Sequence, residues 1–265
     1  MQDLQPFIRE AGAGPGVVCI HSNASTSSQW RALMDRLESS HHVFAPDSLG
    51  AGKSPPWPAD HVVGLSDEVA LLEPVFAAAG TPFFLVGHSY GAAVALVAAV
   101  ARPDRVRALV VYEPTLFSLL EEEAPGQAAA NGIRAAAAAA AAAIEAGDAA
   151  TAGERFIDYW MGAGTWHGMP GARQASVAGS MGNIGHWARA LFAETTPLLA
   201  FRALDLQVLY MVGAESPASS RSVARLLAGV LPRVTVLEFP GLGHMGQVTH
   251  PDVVNDAVVE FLARH

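Results

Sequence analysis

The sequence predicts an α/β fold: a mostly parallel sheet of about six to seven strands, helices on both faces, and a helical cap insertion. Three observations predict it. Short apolar runs alternate with stretches of helical period along most of the chain. One such run, beginning at Phe83, ends at Gly87 and passes through Ser89 and Gly91 into an Ala/Val/Leu-rich helical stretch. Between about residues 114 and 196 the composition shifts to Ala, Gly and aromatics, and no strand signal interrupts it. The division that follows is a core of residues 1–116 and 197–265, with the cap at 117–196.

The elements are read in order from these patterns. Strands are expected at 17–21, 42–46, 83–87, 108–112, 206–212 and 235–239, each a short apolar run bounded by turn residues. Helices are expected at 29–37, 67–79, 90–101, 219–231 and 252–263, where apolar residues recur at helical spacing. A Gly/Pro-rich loop occupies 47–58. Nine consecutive alanines at 135–143 are too short and too weakly apolar for a membrane span, and they read as helix because Ala has the best helix propensity. The cap is expected to hold four short helices, set over the strand ends where open parallel sheets keep their sites.

Bulk properties narrow the function. Of the 265 residues, 51% are hydrophobic and 15% charged, which favours a large core and argues against disorder. The net charge is −9 and no basic cluster is present, which argues against nucleic-acid binding. Cys19 is the single cysteine, so no intrachain disulfide or cysteine metal site forms, and its place within a strand predicts a packed, inert thiol. With no signal-peptide pattern and no apolar stretch near about 20 residues, a cytoplasmic protein without membrane contact is expected. Its partner is expected to be a small molecule. No cofactor or metal is implied, and the oligomeric state is open.

Gly87-His88-Ser89-Tyr90-Gly91 is G-x-S-x-G in a strand–turn–helix context. So tight a turn strains the Ser backbone, and side chains in place of the two glycines would collide with the neighbouring strand and helix. The serine is left at a helix N-terminus, where developing negative charge is favoured. A Ser hydroxyl needs a base within hydrogen-bond reach to act as a nucleophile. His244, in Gly241-Leu242-Gly243-His244 after the last strand, is the best placed of ten histidines. His21 and His88 are read as structural hydrogen-bonding residues. Gly52-Lys53-Ser54 ends like a phosphate loop, but that motif needs Gly where this chain has Asp47.

With the elbow, this order of elements resembles the α/β-hydrolase family across essentially the whole chain. His21-Ser22-Asn23-Ala24-Ser25, Asp47-Ser48-Leu49-Gly50-Ala51-Gly52-Lys53-Ser54, the elbow and Gly241-Leu242-Gly243-His244-Met245 carry the resemblance. Ser22 departs from it, since the family usually has Gly there. The resemblance implies Ser89 as nucleophile, His244 as base, and an oxyanion hole from the backbone N–H groups of Tyr90 and Asn23. The family's usual acid position, three residues after Gly213, holds Ser216. Two substitutes remain: Glu113, directly after the strand at 108–112 as in some haloalkane dehalogenases, and Glu215. Glu113 is preferred.

Trp160, Trp166, Trp187 and His186 are expected to contribute to the substrate pocket. The leading reading is a serine hydrolase acting on a small, fairly apolar ester through an acyl-enzyme. A carbon–carbon bond hydrolase or perhydrolase on the same triad stays open, because Arg134, Arg155, Arg173 and Arg189 of the cap offer partners for a substrate carboxylate. A ligand-binding protein with little turnover is the reading from another class.

Overall fold

The computed structural model describes residues 4–58, 61–123 and 128–265. Seven strands form one sheet: β1 (Ile8–Ala11), β2 (Gly16–Ile20), β3 (His42–Pro46), β4 (Phe83–His88), β5 (Val106–Tyr112), β6 (Gln207–Gly213) and β7 (Val234–Phe239). Their spatial order is β1-β3-β2-β4-β5-β6-β7. Every neighbouring pair is parallel except β1 and β3, which run antiparallel with Ile8 opposite Pro46.

The six strands read from the sequence are all present. β1 was missed because its four residues, Ile-Arg-Glu-Ala, carry only a fragment of apolar alternation and sit on the sheet edge. The inner strands are buried on both faces, and the period of two divides each between two cores. In β4, Phe83 and Leu85 enter one cluster while Phe84 and Val86 enter the other. Cys19 lies on the second face, fully buried, and burial pushes its thiol well above the usual range.

Helices α1 (Arg31–Leu37) and α13 (Pro251–Arg264), the latter preceded by the single turn α12 (Gly246–Thr249), cover one face, contributing Leu33, Met34, Val254 and Val258. The other face is covered by α2 (Leu65–Leu71), α3 (Glu73–Ala79), α4 (Tyr90–Ala101) and α11 (Ala218–Val230). The sequence predicted one helix at 67–79. The chain makes two, broken at Leu72, because Pro74 fits the first turn of a helix but not its interior.

Between β5 and β6 the described residues contain no strand. They form α5 (Ser118–Glu123), α6 (Ala128–Glu145), α7 (Ala149–Met161), α8 (Thr165–Gly168), α9 (Gly171–Ser180) and α10 (Ile184–Phe192). The expectation of four short helices is corrected by this count and by the 18 residues of α6, whose alanine run propagates without a breaker. No helix among the described residues is long and apolar enough to cross a membrane.

The strand order reverses between β2 and β4, the crevice where open α/β sheets bind ligands. The loops after β2, β4, β5, β6 and β7 therefore converge at one end of the sheet.

Candidate active site

Only three described residues other than glycine have a positive φ: Ala24 (52°), Ser89 (55°) and Glu113 (46°). Each follows the C-terminal end of a strand. Strain of this kind costs on the order of 1–3 kcal/mol per residue and persists only where the surroundings enforce it. Here it is confined to the strand-end loops.

The elbow explains the conformation of Ser89. β4 runs straight into α4, and the chain reverses over one residue with ψ −116°. The turn is held by the Ser89 N–H donating to the Tyr112 carbonyl (2.9 Å). A Cβ on Gly87 would come within 2.6 Å of the Ala92 Cα, and one on Gly91 would strike the Ile20 carbonyl. Both glycines are thus required by contact.

Ser89 Oγ lies 2.9 Å from His244 Nε2. On the other side of the ring, His244 Nδ1–H donates to Glu113 Oε2 at 2.6 Å. The second oxygen of Glu113 accepts from the Gly213 N–H (2.7 Å) and from the Ser216 hydroxyl. The pair is buried, with side-chain exposures of 2% for His244 and 0% for Glu113. Burial alone would raise the Glu113 carboxyl. The hydrogen bond and charge of His244, with the Ser216 hydroxyl and the Gly213 amide, outweigh it and hold the carboxyl below its usual value. Glu113 is therefore an anion that keeps the Nδ1 proton in place and leaves Nε2 as the acceptor facing Ser89.

Of the two acids read from the sequence, Glu113 reaches His244. Glu215 is exposed, and its backbone N–H donates to the Leu242 carbonyl. Ser216 occupies the position where the resemblance placed a carboxylate, and there it donates to Glu113 from β5. The positive φ of Glu113, stabilised by its N–H donating to the Met211 carbonyl (3.1 Å), turns the side chain toward the β7 loop. No sequence pattern announces that turn.

Tyr90 is the first residue of α4, so its N–H has no acceptor within the helix. Its side chain points away, donating to Glu68 Oε1 (3.1 Å). Asn23 lines the same cavity as Ser89. Ser22 does not strain its loop in place of a glycine: the left-handed residue is Ala24.

The other motif residues are structural. His21 Nδ1–H donates to the Ser22 carbonyl (2.7 Å), and its Nε2 accepts from the Ser48 N–H (3.0 Å). Burial lowers the pKa of its imidazole, so the ring stays neutral. Asp47 accepts from the N–H groups of Ser27 (2.6 Å) and Lys53 (2.9 Å), and the Ser54 hydroxyl donates to the Asp47 carbonyl (2.6 Å). The Gly52-Lys53-Ser54 turn is thus closed on its own aspartate.

A narrow cavity of about 40 Å³ opens beside Ser89 and His244. Its wall is largely the helical insertion: Phe156, Trp160, Trp187, Leu191 and Phe192, with Phe117 from the segment between β5 and α5. Trp160 stacks on the His244 ring at 3.9 Å between centroids. No Asp, Glu, Lys or Arg is among the described residues that line this cavity. Two of the expected pocket residues are elsewhere. Trp166 packs on Gly153, which has no side chain to keep the indole away. His186 stacks on Trp57 at 4.9 Å. Both lie on turns of their helices that face other neighbours. The sequence reading missed Phe117, Phe156 and Leu191, whose apolar character is indistinguishable from that of core residues.

A seven-stranded, mostly parallel sheet with a serine elbow, and with a histidine and a carboxylate on later strand ends, defines a class. Residues 15–251 match the profile described as alpha/beta hydrolase fold, and the chain belongs to that family. Over 112 residues it is 38% identical to the lipase LipV of Mycobacterium tuberculosis, covering 41% of each protein. Over 273 aligned positions it is 27% identical to a 2-hydroxymuconate semialdehyde hydrolase from a Pseudomonas species, covering 98% of this chain and 91% of that one. Among solved structures, an esterase from Exiguobacterium antarcticum superposes with a TM-score of 0.80 over 98% of this chain and 96% of that one, at 17% identity. That last likeness speaks to the fold alone.

Proposed function

We propose that the protein is a serine hydrolase of small, apolar carboxylic esters or related acyl compounds. The observation that carries this reading is the buried line Ser89 Oγ, His244 Nε2, His244 Nδ1, Glu113 Oε2, opening onto an uncharged aromatic and aliphatic cavity. In this reading Ser89 attacks the acyl carbon while His244 Nε2 takes the hydroxyl proton. Negative charge develops on the carbonyl oxygen, and the backbone N–H groups of Tyr90 and Asn23 receive it. His244 returns the proton to the leaving alkoxide, which leaves an acyl-Ser89 ester. A water, deprotonated by the same nitrogen, then releases the acid and restores the serine. Glu113 stays ionised throughout and stabilises the imidazolium.

The whole-length likeness to a 2-hydroxymuconate semialdehyde hydrolase supports a second reading, a carbon–carbon bond hydrolase on the same residues. A substrate bearing a free carboxylate calls for a cation, and Arg134, Arg155, Arg173 and Arg189 are all exposed and outside the cavity lining. Arg134 is paired with Glu121 and lies over the Phe192 ring. The cavity therefore favours neutral acyl substrates.

The test is covalent labelling with a fluorophosphonate, read by intact mass and peptide mapping. One adduct confined to Ser89, absent in Ser89→Ala, is the expected result. A folded protein that takes no label, or takes it elsewhere, refutes the reading.

A further inference from the structure

Three side chains that this chemistry leaves unused form one continuous hydrogen-bonded line beneath the site. The backbone N–H and the hydroxyl of Ser22 both donate to Gln29 Oε1, at 3.1 and 2.9 Å. Gln29 Nε2 donates to His88 Nδ1 at 3.1 Å. His88 Nε2–H donates to the main-chain carbonyl of His244 at 2.9 Å. The ends of the line fix its polarity. An amide N–H can only donate and a carbonyl can only accept, so the Gln29 amide and the His88 tautomer have a single consistent arrangement. Burial, and secondarily the neighbouring His244, drives the His88 imidazole down to about 3, so the ring stays neutral and the pattern persists across ordinary pH.

The line touches the three backbone segments that the proposed chemistry needs. Ser22 precedes Asn23, His88 precedes Ser89, and the terminal carbonyl belongs to His244 itself. Asn23 follows β2 and His244 follows β7, and these strands are not neighbours in the sheet. No ladder hydrogen bond sets the distance between the two loops, so side chains must. Gln29 is well placed for this. It sits on the 3₁₀ turn Ser27–Trp30, which is held by the Ser27 N–H on Asp47 and by the buried Trp30. The line also accounts for Ser22 in place of glycine, because its hydroxyl is the second donor to Gln29.

We propose that Gln29 and His88 are positioning residues that lock the oxyanion-side loop at 21–24 to the loop carrying His244. This inference rests on the serine-hydrolase reading for its effect on rate, but not for its mechanical content.

The experiment compares Gln29→Leu with the unaltered protein in two ways: kcat and KM on an ester that the unaltered protein hydrolyses, and backbone hydrogen–deuterium exchange. The expected result is a kcat lowered by about 10- to 100-fold with KM within about threefold, as a small misplacement of reacting groups produces. Exchange of segment 241–247, more than 200 positions away in sequence, rises about tenfold, while α13 is unchanged. Unchanged exchange at 241–247 in a folded variant overturns the proposal, as does an unchanged kcat where the parent is active. Gln29→Met, which keeps the side-chain length, takes over if the leucine variant does not fold. If the parent neither hydrolyses esters nor takes the phosphonate, the functional reading fails, and the exchange comparison still decides the coupling.

Discussion

The strand-end loops and the helical insertion build the two halves of one site by opposite means. In the loops, position comes from backbone constraint: three left-handed residues, two glycines that nothing larger can replace, and carboxylate and imidazole groups tied in part to backbone N–H and carbonyl groups. In the insertion, position comes from side-chain bulk, with Trp160 lying flat on His244 and alanines of α6 leaving space beside it. Constrained backbone tolerates almost no substitution. A wall of side chains can be re-cut to change which molecule fits. In the proposed reading the loops carry the chemistry and the insertion carries the selection.

The largest expected effect is on the loop side. Glu113→Gln keeps the shape but offers no anion to His244, and turnover should fall by about three to four orders of magnitude. Glu215→Gln, at an exposed position, should leave kcat within about twofold. Steady-state kinetics on both variants would break the comparison if their effects were reversed.

On the insertion side, Ala137 lines the cavity from α6. Ala137→Leu adds bulk there without touching the loops. KM for a long-chain ester should rise about tenfold, while the acetate ester of the same alcohol changes little. An acyl-length series measures this directly, and equal losses for all lengths would show that the insertion acts on chemistry as well as fit.

A smaller effect tests what lies under the elbow. Glu68 on α2 is buried, accepting from Tyr90 Oη and from the Leu49 N–H (3.2 Å). Burial pushes its carboxyl up to about 7. The folded state thus holds this proton more tightly than the unfolded chain, whose carboxyl titrates near its ordinary value of 4.5. The stability it contributes is fully present below that value and is lost as pH rises through about 7, on the order of 3 kcal/mol in all. Glu68→Gln carries no charge, and its Oε1 can accept from the Leu49 N–H while its Nε2 donates to the Tyr90 hydroxyl oxygen. Its thermal midpoint should decline less than the parent's between pH 4.5 and 7. Parallel curves would show that the carboxyl does not titrate in that window.

Much of this was legible in the sequence, for identifiable reasons. The strands carry period-two burial on two faces, and their apolar runs survive in one dimension. Ser89 is marked by flanking glycines because close backbone contact leaves a residue-type signature, and His244 by a loop in which Gly241 takes a positive φ. Trp160 and Trp187 were named with Trp166 and His186, and nothing in the sequence separates the pair that lines the cavity from the pair that does not. On helices with apolar residues on several sides, the facing direction depends on which neighbours the helix meets.

The sequence by itself determined the α/β architecture, the elbow and the histidine, since local geometry and period dictate which residues those features accept. Only the tertiary structure brought Glu113 rather than Glu215 to His244, put Ser216 beneath the carboxylate, and joined Ser22, Gln29, His88 and His244 into one line. Those choices depend on distances between strands β2, β4, β5, β6 and β7. Residues more than 100 positions apart meet there, and no local pattern records which of them will touch.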